Sequence, residues 1–404
     1  MILFLMFLTA LNVFDRFYFC IFGAAIVFLL NPGRKIRFNS SVVMLLGLGL
    51  SVLLFNPTAQ DSILDMIRPF SYILCYIIGF GLFQNAENAP VDLRTEEKRM
   101  SSVIYVIAGG SFLRFVLNMF VNWGSENRNE VIDFWTRSEM AATAQAALAC
   151  LAIAVAVAFL FSKVGKWKKL IAIGALVVVV LYNLVLAGRT LFVIIILTAA
   201  IAIIYAHRAE KRKMSKAFII ILALVLLLTV LYNTDAFGIR TAVESSNFYM
   251  RFYGGAVTQD IEEDKRMEHK LAFLERFLDH PWGGSNIRTD YGHHAHDIYL
   301  DTYDESSIFA LIAILAYMIS SIVRMVKCAR KKVLSLRLRL LVLCAYLVCN
   351  FEFFVEPIMS GMPWMLASYC FMDGAVTYLL QRVEGVEPAG DVPEEKQTLA
   401  APEE

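Results

Sequence analysis

Three of the six histidines in the chain fall within four positions, at His293, His294 and His296. They stand among carboxylates: Asp290 and Asp297 close by, then Asp301, Asp304 and Glu305. Imidazole is the side chain suited to moving a proton near neutral pH, and a neighbouring carboxylate can fix its tautomer and raise its basicity. A metal site is a competing use, since His293 and Asp297 are one helical turn apart, but the cluster lacks a recognised zinc spacing. A solvated helix start at a membrane interface is the plainer alternative. Glu305 lies nine residues beyond His296, so one straight helix would put the two on opposite faces. A site that uses both needs a bend between them.

Arginines supply the second kind of chemistry. Arg189 sits in a tight turn, Ala187, Gly188, Arg189, Thr190, between two apolar runs. A helix starting at Thr190 presents free N–H groups and its positive dipole end there, and a guanidinium adds a bidentate donor for phosphate oxygens. The alternative is an arginine that only snorkels at a helix end. Arg68 and Arg114 fall inside apolar runs, where ionisable groups usually face a cavity or a partner. Arg266 precedes an amphipathic stretch. Arg68, Arg114, Arg189 and Arg266 could converge on one anion, with Asp65, Glu352 or Glu356 as alternative structural partners.

The elements that must position these groups are membrane helices. The chain is 58% hydrophobic over 404 residues, with a mean hydropathy of +0.60, beyond the roughly 45 to 50% apolar share of soluble domains. Apolar blocks near spanning length predict helices at Met1 to Phe14, Phe17 to Leu30, Val42 to Phe55, Ile63 to Phe83, Ser101 to Val121 and Met140 to Phe161. Six more are predicted at Leu170 to Ala187, Thr190 to Ala206, Ala217 to Asn233, Ser306 to Val323, Leu338 to Val355 and Met362 to Leu380. The expected fold class is all-α: a polytopic membrane bundle of about 12 transmembrane helices with a long, partly helical loop.

Every second connection is basic, for example Arg34, Lys35 and Arg37, or the run from Arg324 to Arg339. The alternate set holds only Arg16, Arg128, Arg137 and Arg189 outside the long loop. Basic loops stay in the cytoplasm, which puts both termini inside and the loop outside. The net charge of +1 suggests no nucleic acid. Six cysteines lie in apolar segments and Cys328 in a basic connection, which argues against a disulfide framework or thiolate metal site in the loop.

Four parts follow: N-terminal transmembrane helices over 1–234, the loop over 235–305, C-terminal helices over 306–382 and a disordered cytoplasmic tail over 383–404. The loop should fold, because Met267 to Leu278 is amphipathic. Ala272, Glu275, Arg276 and Asp279 form its polar side, and Leu271, Phe273, Leu274, Phe277 and Leu278 a broad apolar side for the bundle or the interface. Pro281, Gly283 and Gly284 end it.

In the order of these parts the chain resembles the bacterial O-antigen polymerase and O-antigen ligase family of integral-membrane glycosyltransferases. The resemblance covers most of the chain from Gly188 onward. It rests on Gly-Arg-Thr between two central spans, a long outer loop before the last three spans, Arg266 leading a helix that ends in His280, Pro281, Trp282, Gly283, and the string HAHDIYLDTYDESS. The family pattern there is His-Asn, then Leu, Glu and Gly at set spacings. His296, Leu300 and Glu305 match it, while Asp297 replaces the Asn and Ser307 the Gly.

The resemblance implies a GT-C-type fold in the bacterial inner membrane, a periplasmic site and an undecaprenyl-diphosphate-linked oligosaccharide donor. It makes His296 the catalytic base and Arg189 and Arg266 the diphosphate ligands. The residue pattern itself adds Arg68 and Arg114 to the diphosphate set and His294, Asp297 and Glu305 in support. No cofactor or metal is expected. The partners implied are an acceptor glycolipid, the lipid bilayer and a chain-length regulator. Polymerisation onto a lipid-linked repeat is the first expectation. Ligation to lipid A core is its nearest rival, and a flippase or transporter for the same lipids, or a membrane scaffold, comes from another class. Inner helix halves nearly free of charge and the lack of an internal repeat argue against transport.

Overall fold

The computed structural model describes residues 1–31, 33–34, 36–56, 63–84, 90–123, 131–186, 188, 190–210, 233–235, 239–244, 249, 266–283 and 295–386. Among them the chain is all-helical, with a single isolated β-bridge between Ile132 and Glu139. The N-terminal helices are α1 (Ile2–Leu11), α2 (Phe17–Leu29), α3 (Ser40–Phe55), α4 (Ile63–Gly81) and α5 (Leu93–Val121). Next come α6 (Ala142–Ala147), α7 (Cys150–Phe161), α8 (Lys166–Val185) and α9 (Thr190–Glu210). Within the loop lie α10 (Ile239–Glu244), α11 (Arg266–Glu275) and α12 (Ile298–Glu305). The chain continues with α13 (Ile308–Arg330), α14 (Leu336–Val355), α15 (Ile358–Gly361) and α16 (Pro363–Arg382).

Among the described residues, six stretches are long and apolar enough to cross a membrane: α5, α6 with α7, α8, α9, α13 and α14. Four shorter apolar helices, Ile2–Leu11, Phe17–Leu29, Ser40–Phe55 and Met66–Gly81, accompany them. The segment expected at Ala217 to Asn233 lies outside the described residues apart from Asn233.

Helix ends depart from the hydropathy reading. The fifth helix starts at Leu93 rather than Ser101, so Arg94, Lys98 and Arg99 ride on its first two turns. Likewise α13 runs on to Arg330, so Arg324 and Cys328 belong to a helix and not to a basic connection. Hydropathy detects only the apolar part of a helix, whereas backbone hydrogen bonding continues into the polar boundary.

Close packing comes from small residues. The most extensive helix pairing is α4 on α16, where a Cβ at Gly79 would meet the Phe371 carbonyl and one at Gly374 the Tyr76 carbonyl. Bare glycines thus let two backbones touch, the usual device where apolar lipid leaves no hydrophobic drive between helices.

One ion pair is buried inside this bundle. Arg324 donates from Nε and Nη2 to the two carboxylate oxygens of Asp373 at 2.9 and 2.5 Å, and Tyr346 donates to the same carboxylate at 2.6 Å. The Tyr76 and Tyr317 rings lie beside the guanidinium. This charged pair is one that the apolar blocks do not reveal. The reason is that Arg324 reads as a loop residue in sequence, while its helix carries it against α16.

Alternate connections collect at opposite ends. At one end Glu96 meets Arg99 at 3.1 Å and Arg382 at 3.5 Å. The α1–α2, α5–α6 and α14–α16 connections gather at the other, around a shared cleft. Breaking a buried pair leaves a charge without compensation, at a cost of about 3 to 5 kcal/mol. Asp373→Ala should therefore lower the melting temperature of the detergent-solubilised protein sharply, and Arg324→Met with Asp373→Leu should recover most of the loss. Unchanged melting in Asp373→Ala would show that the pair does not hold these helices.

Candidate functional site

His296 lies in a sharp turn in front of α12. Its backbone is left-handed, with φ of 58°, a conformation that costs a non-glycine residue about 1 kcal/mol or more. Both flanks are pinned. On the near side, the Ala295 N–H donates to Asp301 Oδ1 at 3.0 Å. On the far side Asp297 caps α12, accepting from the N–H groups of Tyr299 and Leu300 at 3.0 and 2.8 Å. Its other oxygen meets Lys270 Nζ on α11 at 3.3 Å. Asp297 therefore serves the helix start and the lysine.

The loop has a small core of its own. Phe273, Ala295 and Tyr303 are buried together with Phe277, Leu300, Ile308 and Leu311 packed on them. The Tyr303 hydroxyl donates to the His280 carbonyl. Gly283 follows with φ of 76°, and a Cβ there would strike the Tyr303 carbonyl. The predicted apolar side of α11 divides: Phe273 is buried, while Leu271 and Leu274 are exposed. The buried face is instead His269 with Phe273, one turn apart. The His269 ring stacks toward His296, with centroids 6.3 Å apart and planes 20° apart. Lys270 also donates to the Phe354 carbonyl at 2.7 Å, which ties α11 to the end of α14.

His296 opens onto a cleft of about 630 Å³ whose walls come from Asn12 and Asp15, Arg114, the segment 133–144, Glu356 and Trp364. Arg114 donates from Nε and Nη2 to Asp133 Oδ2 at 2.9 and 2.7 Å, with both side chains buried. Asp65, Glu352 and Glu356 were the partners foreseen for the arginines, and Arg114 has taken a loop aspartate instead. Burial alone would raise the Asp133 carboxyl, but the Arg114 guanidinium and the Thr136 and Trp135 N–H groups hold it below the usual range. Asp15, Asp133, Glu139 and Glu356 outnumber the lining arginine. The cleft is thus rich in acceptors, suited to a ligand that donates many hydroxyls.

Strain gathers here. Of the six non-glycine residues with positive φ among those described, Asn12, Asp15 and His296 line the cleft. Two more lie beside it: Phe14 packs on Trp135, and Arg137 falls between the lining residues Thr136 and Ser138.

The other expected residues divide. Arg68 and Glu305 are not among the cleft's lining, and both act electrostatically on the Tyr72 hydroxyl. The chain does bend as required, at His296 itself, but α12 then carries Glu305 about 12 Å along its axis from the cap. Arg189 and His294 lie outside the described residues, as does the Arg266 side chain, although Arg266 begins α11. The turn before Arg189 is well held: Asn183 Nδ2 donates to the Gly188 carbonyl at 2.7 Å, and the Gly188 N–H returns to the Asn183 carbonyl at 3.1 Å. Leu186 packs with Val131 and with Ala142, a wall of the cleft.

Asp301, one of the carboxylates of the histidine cluster, braces the turn. It is 1% exposed, and its Oδ2 has no hydrogen-bond partner among the described residues. Burial, with the charges of Glu305 and Asp297 adding to it, pushes its carboxyl up to about 8. Asp301 is therefore a neutral acid near pH 7.

Together these features define an all-helical protein with membrane-type helices and a polar, strained cleft at one end of its bundle. No protein-family model and no curated protein matches the chain.

A carboxyl held neutral by folding supports the fold fully below the ordinary carboxylate range, and that support is lost as pH rises through about 8. Hydrogen exchange of the peptide spanning 295–301, corrected for intrinsic chemistry, should show protection at about pH 6 that falls by about pH 9. Asp301→Asn should abolish that pH dependence. Equal protection of the unsubstituted chain at both values would contradict it.

Proposed function

We propose that this chain is a glycosyltransferase of the bacterial inner membrane that moves a glycan from undecaprenyl diphosphate to a lipid-linked sugar at the periplasmic face. About twelve spans with both termini in the cytoplasm accompany this reading, which follows the alternation of basic connections. The observation that carries it is the meeting of a strained, pinned His296 with a large acceptor-rich cleft.

The acceptor sugar occupies the cleft, where carboxylates and carbonyls receive its hydroxyl hydrogens. The imidazole of His296 takes the proton from the attacking hydroxyl. The freed oxygen bonds to the anomeric carbon of the donor as the bond from that carbon to the diphosphate oxygen breaks, and the electron pair leaves with the diphosphate. Direct displacement inverts the anomeric configuration. Charge grows on the departing diphosphate, so fixed guanidinium donors beside a low-dielectric boundary favour the transition state.

Arg189 and Arg266 are the donors the family resemblance supplies. Arg114 fits a different task, since Asp133 engages two of its donors: it shapes the acceptor wall. Asp297 and Lys270 hold the His296 turn. Polymerisation onto a lipid-linked repeat remains the first form of the reaction and ligation to lipid A core the second. The Arg324–Asp373 pair gives the flippase reading one buried charge pair inside the bundle.

Purified protein in detergent, given an undecaprenyl-diphosphate oligosaccharide and no gradient, should extend or transfer the glycan. His296→Ala should reduce that rate about a hundredfold or more, and Arg189→Ala should reduce it comparably, with normal protein levels in both. Full activity in His296→Ala removes the base, and absence of transfer by the unsubstituted protein favours transport. Long-chain ladders restored in a strain lacking its own polymerase select polymerisation, and rescue only in a ligase-deficient strain selects ligation.

A further inference from the structure

A second cavity, of about 460 Å³, opens between α5, α7 and α8 and is unconnected with the His296 chemistry. It exists because the facing side chains are small: Gly109 on α5, Ala156 on α7, and Ala172 and Ala175 on α8. The Tyr105 and Phe159 rings meet edge to face, with centroids 5.8 Å apart, along its wall. On α5 the lining runs from Tyr105 to Phe112, about 10 Å of helix axis. Among the lining residues only Lys168 carries a charge.

Lys168 stands in the first turn of α8, which begins at Lys166, and both lysines are exposed, with no acidic partner among the described residues. Trp167 between them is 78% exposed, as expected of an aromatic anchor at a membrane boundary. Lys169, by contrast, turns back to the Leu160 carbonyl at 3.5 Å. An apolar slot surrounded by hydrocarbon offers water nothing to bind. A slot whose mouth carries an ammonium group pairs an apolar chain with a negative head.

We infer that this groove between α5, α7 and α8 binds an anionic glycerophospholipid, with one acyl chain lying along Gly109, Ala156 and Ala175 and the phosphate at Lys168. The lipid fills a packing defect between helices that the protein's own side chains leave open. The exposed face of α8 thereby joins the bundle through a lipid. A bare snorkelling lysine would have no use for the slot beside it, and a bare slot would not distinguish headgroups.

The full-length protein is reconstituted in nanodiscs of phosphatidylglycerol with phosphatidylcholine and then extracted, and lipid retention is read by native mass spectrometry. Phosphatidylglycerol should be retained in preference to phosphatidylcholine. Lys168→Gln should reduce that preference about fivefold. Ala175→Phe, at a half-buried position where a ring fills the slot without displacing a packed side chain, should reduce retention of both lipids. Melting temperature measured alongside separates lost lipid from lost fold. Equal retention of the two lipids, retention unchanged in either variant, or displacement of the bound lipid by inorganic phosphate alone would overturn the assignment.

Discussion

A left-handed backbone at His296 is the constraint from which the rest of the candidate site follows. A histidine does not stay in that region unless its surroundings over-determine it, and here four groups do so. Asp301 holds the peptide before it, Asp297 starts the helix after it, Lys270 fastens Asp297 to α11, and Tyr303 fastens α12 to the turn that follows α11. The neutral acid at Asp301 is part of the same arrangement, since an ionised carboxylate at that depth would face the charges of Glu305 and Asp297. The imidazole is thus delivered to the cleft by a chain of polar contacts, most of them buried.

The bundle supplies the walls. Asn12 and Asp15 come from the first connection, 133–144 from the connection between α5 and α6 and the start of α6, and Glu356 and Trp364 from the link between α14 and α16 and the start of α16. These segments are far apart in sequence and meet because their helices pack closely, through glycines between α4 and α16 and through the buried Arg324–Asp373 pair. Arg114 shows the same economy of charge: a guanidinium within an apolar helix is tolerated because Asp133 reaches it from a loop.

The helical architecture was legible because hydrocarbon imposes length and apolarity on each helix, and α1 through α9 lie over the first eight apolar blocks, the block at Met140 to Phe161 being divided into α6 and α7. Helix ends were less legible, since Leu93 and Arg330 sit in polar sequence that hydropathy assigns to connections. The His296 cluster stood out by composition. Its bracing did not: Asp297 reads equally as a partner for imidazole and as a helix cap, and only backbone geometry separates the two. His269 and Phe273 have the helical spacing of a buried face, a signal present in the sequence but masked by the more apolar Leu271 and Leu274. Nothing in the sequence links Arg114 to Asp133, because that pairing depends on how a loop folds back over its helix.

A structure of the full-length protein bound to a lipid-linked oligosaccharide, determined in a lipid environment, addresses the central claim most directly. Sugar density in the cleft with a hydroxyl within hydrogen-bond distance of the His296 ring is the expected result. An oligosaccharide bound elsewhere, with the His296 cleft empty, would contradict it.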